Sequence, residues 1–194
     1  MEHLRIGFAF CGSFCTYAKA MAALEDAVRR YDWVQPIVSE ASAATDTRFG
    51  AAHDFMREME RLCDRRVIDS IKGAEAIGPK KLLDVLVIAP CTGNTLAKLA
   101  NGVTDSSVTM AAKAQLRNGR PVVLALSTND GLSGSARNIG QLLDKKNVYF
   151  VPFGQDDPDG KPTSLVADFT QIPAAVAAAL EGRQLQPVLL GQGG

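Results

Sequence analysis

The feature that most constrains this chain is a set of apolar runs that do not alternate. Residues 4–10, 34–39, 83–89, 121–127 and 148–153 are nearly continuous in Ile, Val, Leu, Phe and Ala. A strand with one face in water alternates apolar and polar residues, whereas a strand covered on both faces has no reason to. Between the runs lie segments with helical spacing, at 16–31, 48–64, 94–101, 106–117, 136–145 and 165–180. Thr16 is placed to cap the first of these, and in the second Phe55, Met56, Met59 and Leu62 fall on one face. Strand, helix and strand in repetition predict right-handed crossovers onto a parallel sheet. The expected fold class is therefore α/β: a doubly wound parallel sheet between two layers of helices.

A chain of 194 residues suits one domain, 1–194, with a single core. Residues 182–194 are expected to form a C-terminal arm or, at the Gly-rich tip, to fray. Residues 154–164 form a turn-rich acidic connection. Lys plus Arg and Asp plus Glu are 21 each, so no basic excess points to nucleic acid or an anionic membrane. Neutrality of this kind tolerates self-association. The spacing of Cys11, Cys15, Cys63 and Cys91, with only His3 and His53 beside them, gives no zinc pattern, and no metal is expected. Residues 1–10 do not read as a secretory signal, and no apolar stretch reaches the roughly 18–20 residues of a membrane helix. The expectation is a cytoplasmic chain with free thiols.

In open α/β sheets ligands lie beyond the carboxyl ends of the strands. The segments following the first four strands, 11–16, 39–47, 90–95 and 127–135, are all rich in Gly, Ser, Thr or Asn. Short hydroxyls and free amides at helix N-termini favour an anion such as phosphate. The same residue types also cap helices and turns, so one such loop says little; four at one edge say more. The dinucleotide pattern G-x-G-x-x-G and the phosphate loop G-x-x-x-x-G-K-[ST] are both absent. A mononucleotide such as FMN suits these loops better than NAD or ATP.

The stretch APCTGNTLAKLANGVTD, residues 89–105, resembles the signature loop of the flavoprotein family that includes phosphopantothenoylcysteine decarboxylase, the lantibiotic cysteine decarboxylases and the flavin prenyltransferases. Within that family TDTRFG (45–50), GAEAIGPKKLLDVLVIAP (73–90), MAAKAQLRNGRPVVLALSTND (110–130), KNVYFVPFGQDDPDGKPTSLVA (146–167) and GRQLQPV (182–188) resemble the B subunits of dipicolinate synthase. The resemblance implies a flavodoxin-like, Rossmann-like three-layer sandwich that binds FMN and assembles into homo-oligomers, as trimers or dodecamers. It also implies a partner, a nicotinamide-binding A subunit carrying NAD(P). With that partner the chain would oxidise a dihydrodipicolinate-type dicarboxylate to pyridine-2,6-dicarboxylate in the mother cell of a sporulating bacterium. Two alternatives stand beside this reading: a non-catalytic assembly subunit that keeps the flavoprotein fold, and a stand-alone decarboxylase or prenyltransferase relative.

Carried over position by position, the resemblance puts Gly12, Ser13 and Phe14 near flavin and phosphate, and Ser39 on the phosphate. It sets Pro90, Thr92, Gly93, Asn94 and Thr95 against the cofactor, and Ser127, Thr128 and Asn129 where relatives close over the ring. Asn94, with donors and an acceptor, is the one catalytic candidate. Two departures matter: LSTND replaces a PAMN-type motif, and the position of the decarboxylases' His falls on Ala76. Decarboxylation of a cysteinyl substrate is therefore not expected. Cys91 has no neighbouring His in sequence and is read as a packing residue. Arg48, Lys80, Lys81 and Arg137 are the candidate cations for a dianionic substrate.

Overall fold

A computed structural model describes residues 2–191 of the chain. In chain order the elements are β1 (Glu2–Phe10), a 3₁₀ turn (Phe14–Thr16), α1 (Tyr17–Arg30), β2 (Tyr31–Val38), α2 (Glu40–Ala43), α3 (Ala52–Cys63) and α4 (Ile71–Glu75). They continue with β3 (Val85–Cys91), α5 (Gly93–Asn101), α6 (Ser107–Arg117), β4 (Val122–Thr128), α7 (Ala136–Leu143) and β5 (Val148–Phe150). Last come β6 (Phe153–Gly154), β7 (Leu165–Ala167), a second 3₁₀ turn (Phe169–Gln171) and α8 (Ile172–Leu180).

The five strands β2-β1-β3-β4-β5 run parallel, so β1, β3 and β4 form the centre of the sheet. All seven residues of β3 are buried, as are the first six of β4, because helices cover both faces. Each fully buried Val, Leu, Ile or Phe on these strands stabilises the fold by about 1.5–3 kcal/mol over leaving it in water. The apolar runs read in the sequence are these strands. Pro36 is tolerated in β2 because that strand lies at the edge of the sheet.

The sheet departs from an all-parallel expectation beyond β4. Residues 165–167, expected to open a helix, form β7 and pair antiparallel with Ser127 and Thr128 of β4 and with β6. The connection of residues 155–164 closes that hairpin, which needs no crossover helix. The helix begins only at Ile172, after Asp168 accepts the Thr170 N–H and caps the second 3₁₀ turn. β2 also starts three residues early, since Tyr31 goes directly from the end of α1 into extended backbone. The run of residues 148–153 is broken at Val151 and Pro152 into β5 and β6.

The C-terminal segment lies along these short strands. The Gln184 side chain accepts from the Phe150 N–H at 2.8 Å and donates to the Phe150 carbonyl at 2.7 Å, closing the free edge of β5 as another strand would. Phe153 donates to Val188 and accepts from Leu190. Of the arm expected over 182–194, Gln184, Val188 and Leu190 bond to these strands in this way, and 192–194 lie outside the described residues.

At the amino end of the sheet Asp84 ties three strands together. It accepts the Arg5 backbone N–H at 2.9 Å, Arg5 Nε at 3.1 Å and Nη2 at 2.8 Å, and Arg120 Nη1 at 3.2 Å. The hydrogen bonds from Arg5, opposed by partial burial, hold the Asp84 carboxyl below its ordinary value of 3.8. A group whose pKa is depressed on folding stabilises above its unfolded value, and that stability is lost as pH falls through the folded one. Asp84→Ala is expected to cost about 2 kcal/mol at neutral pH. The gap from wild type should shrink as the pH drops below the ordinary aspartate range, as denaturant melts at neutral and acid pH would report.

Candidate functional site

The carboxyl ends of β1, β2 and β3 open onto a cleft of about 520 Å³. The loop after β1 supplies Cys11, Gly12 and Phe14; that after β2 supplies Ser39, Glu40, Ala41, Ser42 and Thr45. The start of α5 supplies Thr92, Asn94, Thr95 and Lys98, and the entry to α6 supplies Asp105 and Ser106. Size alone does not single it out. A groove of about 580 Å³ lies between α1 and the second 3₁₀ turn, with Lys19, Arg29 and Arg30 in its lining; the cleft is set apart by its place beyond the parallel strands' carboxyl ends.

Each loop is shaped by its own short side chains. Thr92 accepts the Thr95 N–H at 3.2 Å and caps α5, while donating its hydroxyl to Thr95 Oγ1 at 3.1 Å. Ser39 caps α2 by accepting from the Ser42 N–H and donates to Ser42 Oγ at 2.9 Å. Ser13 sits in the left-handed region at φ 64°, its carbonyl accepting both the N–H and the hydroxyl of Thr16. That turn carries Ser13 Oγ away from the cleft to within 2.7 Å of Ser127 Oγ on β4.

The candidates read from the sequence thus divide into two groups along one edge of the sheet. Gly12, Phe14, Ser39, Thr92, Asn94 and Thr95 line the cleft. Ser13, Gly93, Ser127 and Thr128 gather on the far side of the first loop. There Thr128 and Ser135 both donate hydroxyls to Asp130 Oδ1. Pro90 lies within β3 and is buried; its carbonyl accepts the Cys11 thiol at 3.0 Å. Asn129 is exposed, and its carbonyl accepts the Thr163 hydroxyl at 2.6 Å.

Burial pushes the Cys11 and Cys91 thiols up, Cys91 well above its ordinary value. Both thiols therefore stay protonated and unreactive at neutral pH, and Cys91 packs as a small apolar residue of the strand. Tyr17, behind Phe14, is likewise pushed up by burial to about 12.

Of the cations chosen from the sequence, Lys80 and Lys81 precede β3 and stand at the opposite, amino end of the sheet. Arg48 is exposed and lies over the Phe49 ring, and Arg137 is exposed on α7. The cation that lines the cleft is Lys98, which sequence reading passed over. Its signal was spacing: Lys98 follows Asn94 by four residues and Thr95 by three, so all three share a helix face. Glu40 had no local signal. Its carboxylate accepts the Ser107 N–H at 3.0 and 3.1 Å, covering the N-terminus of α6 from 67 residues away in sequence.

Comparison with known proteins gives the family. Residues 1–170 match the model of the family described as Flavoprotein. The chain belongs to the flavoprotein family. It is 48% identical, over 96% of its length and 93% of the relative's, to the B subunit of dipicolinate synthase from Bacillus subtilis (strain 168). A crystal structure of the dipicolinate synthase B subunit from Bacillus halodurans C is similar at a TM-score of 0.89 and 44% identity, covering 98% of this chain and 97% of that one. Within the flavoprotein family the chain therefore stands with the dipicolinate synthase B subunits. The fold extends to a more distant flavoprotein, DmrB of Burkholderia xenovorans in complex with FMN, described as a cubic protein cage for redox transfer. That likeness has a TM-score of 0.67 at 16% identity, over 92% of this chain and 96% of DmrB.

Gly93, the first residue of α5, packs closely against the end of β4 and the loop that follows it in this flavoprotein. A Cβ there would lie 2.7 Å from both Ser135 Oγ and Thr128 Oγ1, and 2.8 Å from Asp130 Oδ1. Gly93→Ala is expected to destabilise the chain by about 1–3 kcal/mol through overpacking. Adding Asp130→Ala should recover part of the loss, measured as denaturant midpoints of the single and double variants.

Proposed function

We propose that this chain is the B subunit of a dipicolinate synthase and holds FMN in the cleft beyond β1, β2 and β3. The observation that carries the reading is the donor set gathered there: the hydroxyls of Ser39, Ser42, Thr92 and Thr95, the Asn94 amide and the Lys98 ammonium, with Phe14 as an aromatic wall. A mononucleotide needs several hundred Å³, donors and a cation for its phosphate, and an apolar surface for its ring. The cleft supplies each of these. When bound, FMN supplies two-electron redox chemistry to a substrate laid against it.

The chain's own residues bind and orient. Thr92, Gly93 and Thr95 shape the first turn of α5, whose dipole favours an anion. Lys98 neutralises phosphate, Phe14 keeps water from the ring, and the exposed Asn94 positions the substrate. Loss of a hydride and a proton from the dihydropyridine ring of a dihydrodipicolinate leaves the aromatic dicarboxylate. With no dinucleotide pattern in the chain, NAD(P) falls to a separate A subunit, consistent with the B. subtilis relative carrying the name of a B subunit. Homo-oligomeric assembly, as a trimer or dodecamer, belongs to this reading, and DmrB, which shares the fold, is described as a cubic cage. The reading places the chain in the mother-cell cytoplasm; among the described residues no helix is long and apolar enough to cross a membrane.

A second reading, an assembly subunit that keeps the fold without using flavin, is favoured by one observation. The charges in the cleft are already matched, Lys98 by Asp105 and Glu40 by the α6 N-terminus. Titration of FMN into the purified chain separates the two readings. Saturable binding with a shifted visible band is expected, and it should be lost in the Ser39→Ala, Thr95→Val double variant while the fold is retained. A folded wild type that leaves the FMN spectrum unchanged would move the assignment to the assembly subunit.

A further inference from the structure

Three ionised groups line the cleft, and their sum has the wrong sign for an anionic ligand. Glu40 and Asp105 are carboxylates, and Lys98 is the one cationic side chain among the lining residues described. Glu40 is occupied at the N-terminus of α6, where its carboxylate accepts the Ser107 N–H. Lys98 Nζ lies 2.9 Å from Asp105 Oδ1, with the lysine side chain 27% exposed. A phosphate or carboxylate entering the cleft therefore meets a cation that already has a partner.

The backbone fixes that pairing. α5 ends at Gly102, in the left-handed region at φ 72°, which lets the N–H groups of Gly102 and Val103 both reach the Lys98 carbonyl. The turn reverses the chain and returns Asp105 to the side chain of the residue whose carbonyl closes it. Ser106, next in sequence, caps α6 together with Thr109. Asp105 sits between that turn and the capped start of α6, its side chain 54% exposed against 27% for Lys98, which lines the cleft with Asn94 and Thr95 on four rotatable bonds. Its charge is felt at the Cys11 thiol, though burial dominates there. Parting the two releases the lysine to a ligand and leaves the more exposed carboxylate in water.

We propose that Lys98 is the residue that reads the ligand's anionic group, and that Asp105 is a built-in counter-ion which this group must displace. The proposal rests on the flavin reading for one source of the anion, the phosphate of FMN; the other source is a carboxylate of the dicarboxylate substrate. Asp105 keeps the lysine satisfied in the absence of ligand and screens it from stray anions. Ligands that supply a doubly charged group together with ring contacts outcompete it. Removing the counter-ion therefore strengthens anion binding, and removing the lysine abolishes the preference for the anion without touching the ring.

The test compares FMN, riboflavin and pyridine-2,6-dicarboxylate as ligands of the full chain in wild type, Lys98→Met, Lys98→Arg and Asp105→Asn. Riboflavin keeps the ring and lacks the phosphate. Lys98→Met, which preserves the packed methylenes, should weaken FMN on the order of ten-fold or more, the loss of one charge-assisted hydrogen bond, and leave riboflavin unchanged. Lys98→Arg should retain most of the preference. Asp105→Asn should tighten FMN several-fold, again without an effect on riboflavin. Circular dichroism melts establish that each variant is folded, and Asp105→Asn keeps the question open to refutation if Lys98→Met is not. An unchanged ratio of FMN to riboflavin affinity in Lys98→Met overturns the phosphate assignment. If wild type binds neither flavin, the flavin reading falls on its own and the dicarboxylate arm decides. There, equal binding by wild type and Lys98→Met, or no binding by wild type, overturns the role of Lys98.

Discussion

The burial of β3 on both faces governs the rest of the molecule. Seven consecutive residues, from Val85 to Cys91, have no access to water, with β1 on one side and β4 on the other. A strand in that position satisfies its backbone through its neighbours and can carry polar side chains only beyond its ends. At the amino end the requirement is met by Asp84, held between Arg5 and Arg120. At the carboxyl end it is met by Thr92, which turns the chain into α5 and caps it. Because the neighbouring strands run parallel, their carboxyl ends arrive together. The cleft is a consequence of that arrangement.

The chemistry of the cleft follows from how little room the loops have. Ser39, Thr92 and Thr95 first stabilise their own turns, and the hydroxyls that do so are the ones a phosphate or ribityl chain would meet. Glu40 covers a helix N-terminus and Asp105 holds the only lysine of the lining described, so anion affinity is set by competition inside the protein. Binding by such a site depends on what the ligand brings beyond its charge, namely a flat ring against Phe14 and the small residues of the first loop.

The centre of the fold was legible because burial on two faces leaves an unmistakable pattern: the runs at 4–10, 83–89 and 121–127 became β1, β3 and β4. The periphery was less so. Leu165, Val166 and Ala167 read as the first turn of an Ala-rich helix, yet the open end of β4 recruited them as a strand, and only Asp168 marked the break. The helices α2 and α4, of four and five residues, are too short to show a period. In the site, the small polar residues at the strand ends were visible one loop at a time. Which of them share a cleft was not, because Ser13 turns toward Ser127 while Gly12 and Phe14 do not. Lys98 was present in helical spacing from Asn94, whereas the contact of Glu40 with Ser107 exists only in three dimensions.

The central claim is that a flavin occupies the cleft beyond β1, β2 and β3 rather than the groove of similar size beside α1. Amide hydrogen exchange with and without FMN tests it most directly, because protection maps to segments. The account predicts slower exchange in residues 11–16, 39–45, 92–98 and 104–107, with the segments around Lys19, Arg29 and Thr170 unchanged. Protection confined to that groove, with the four cleft segments exchanging as before, would contradict it.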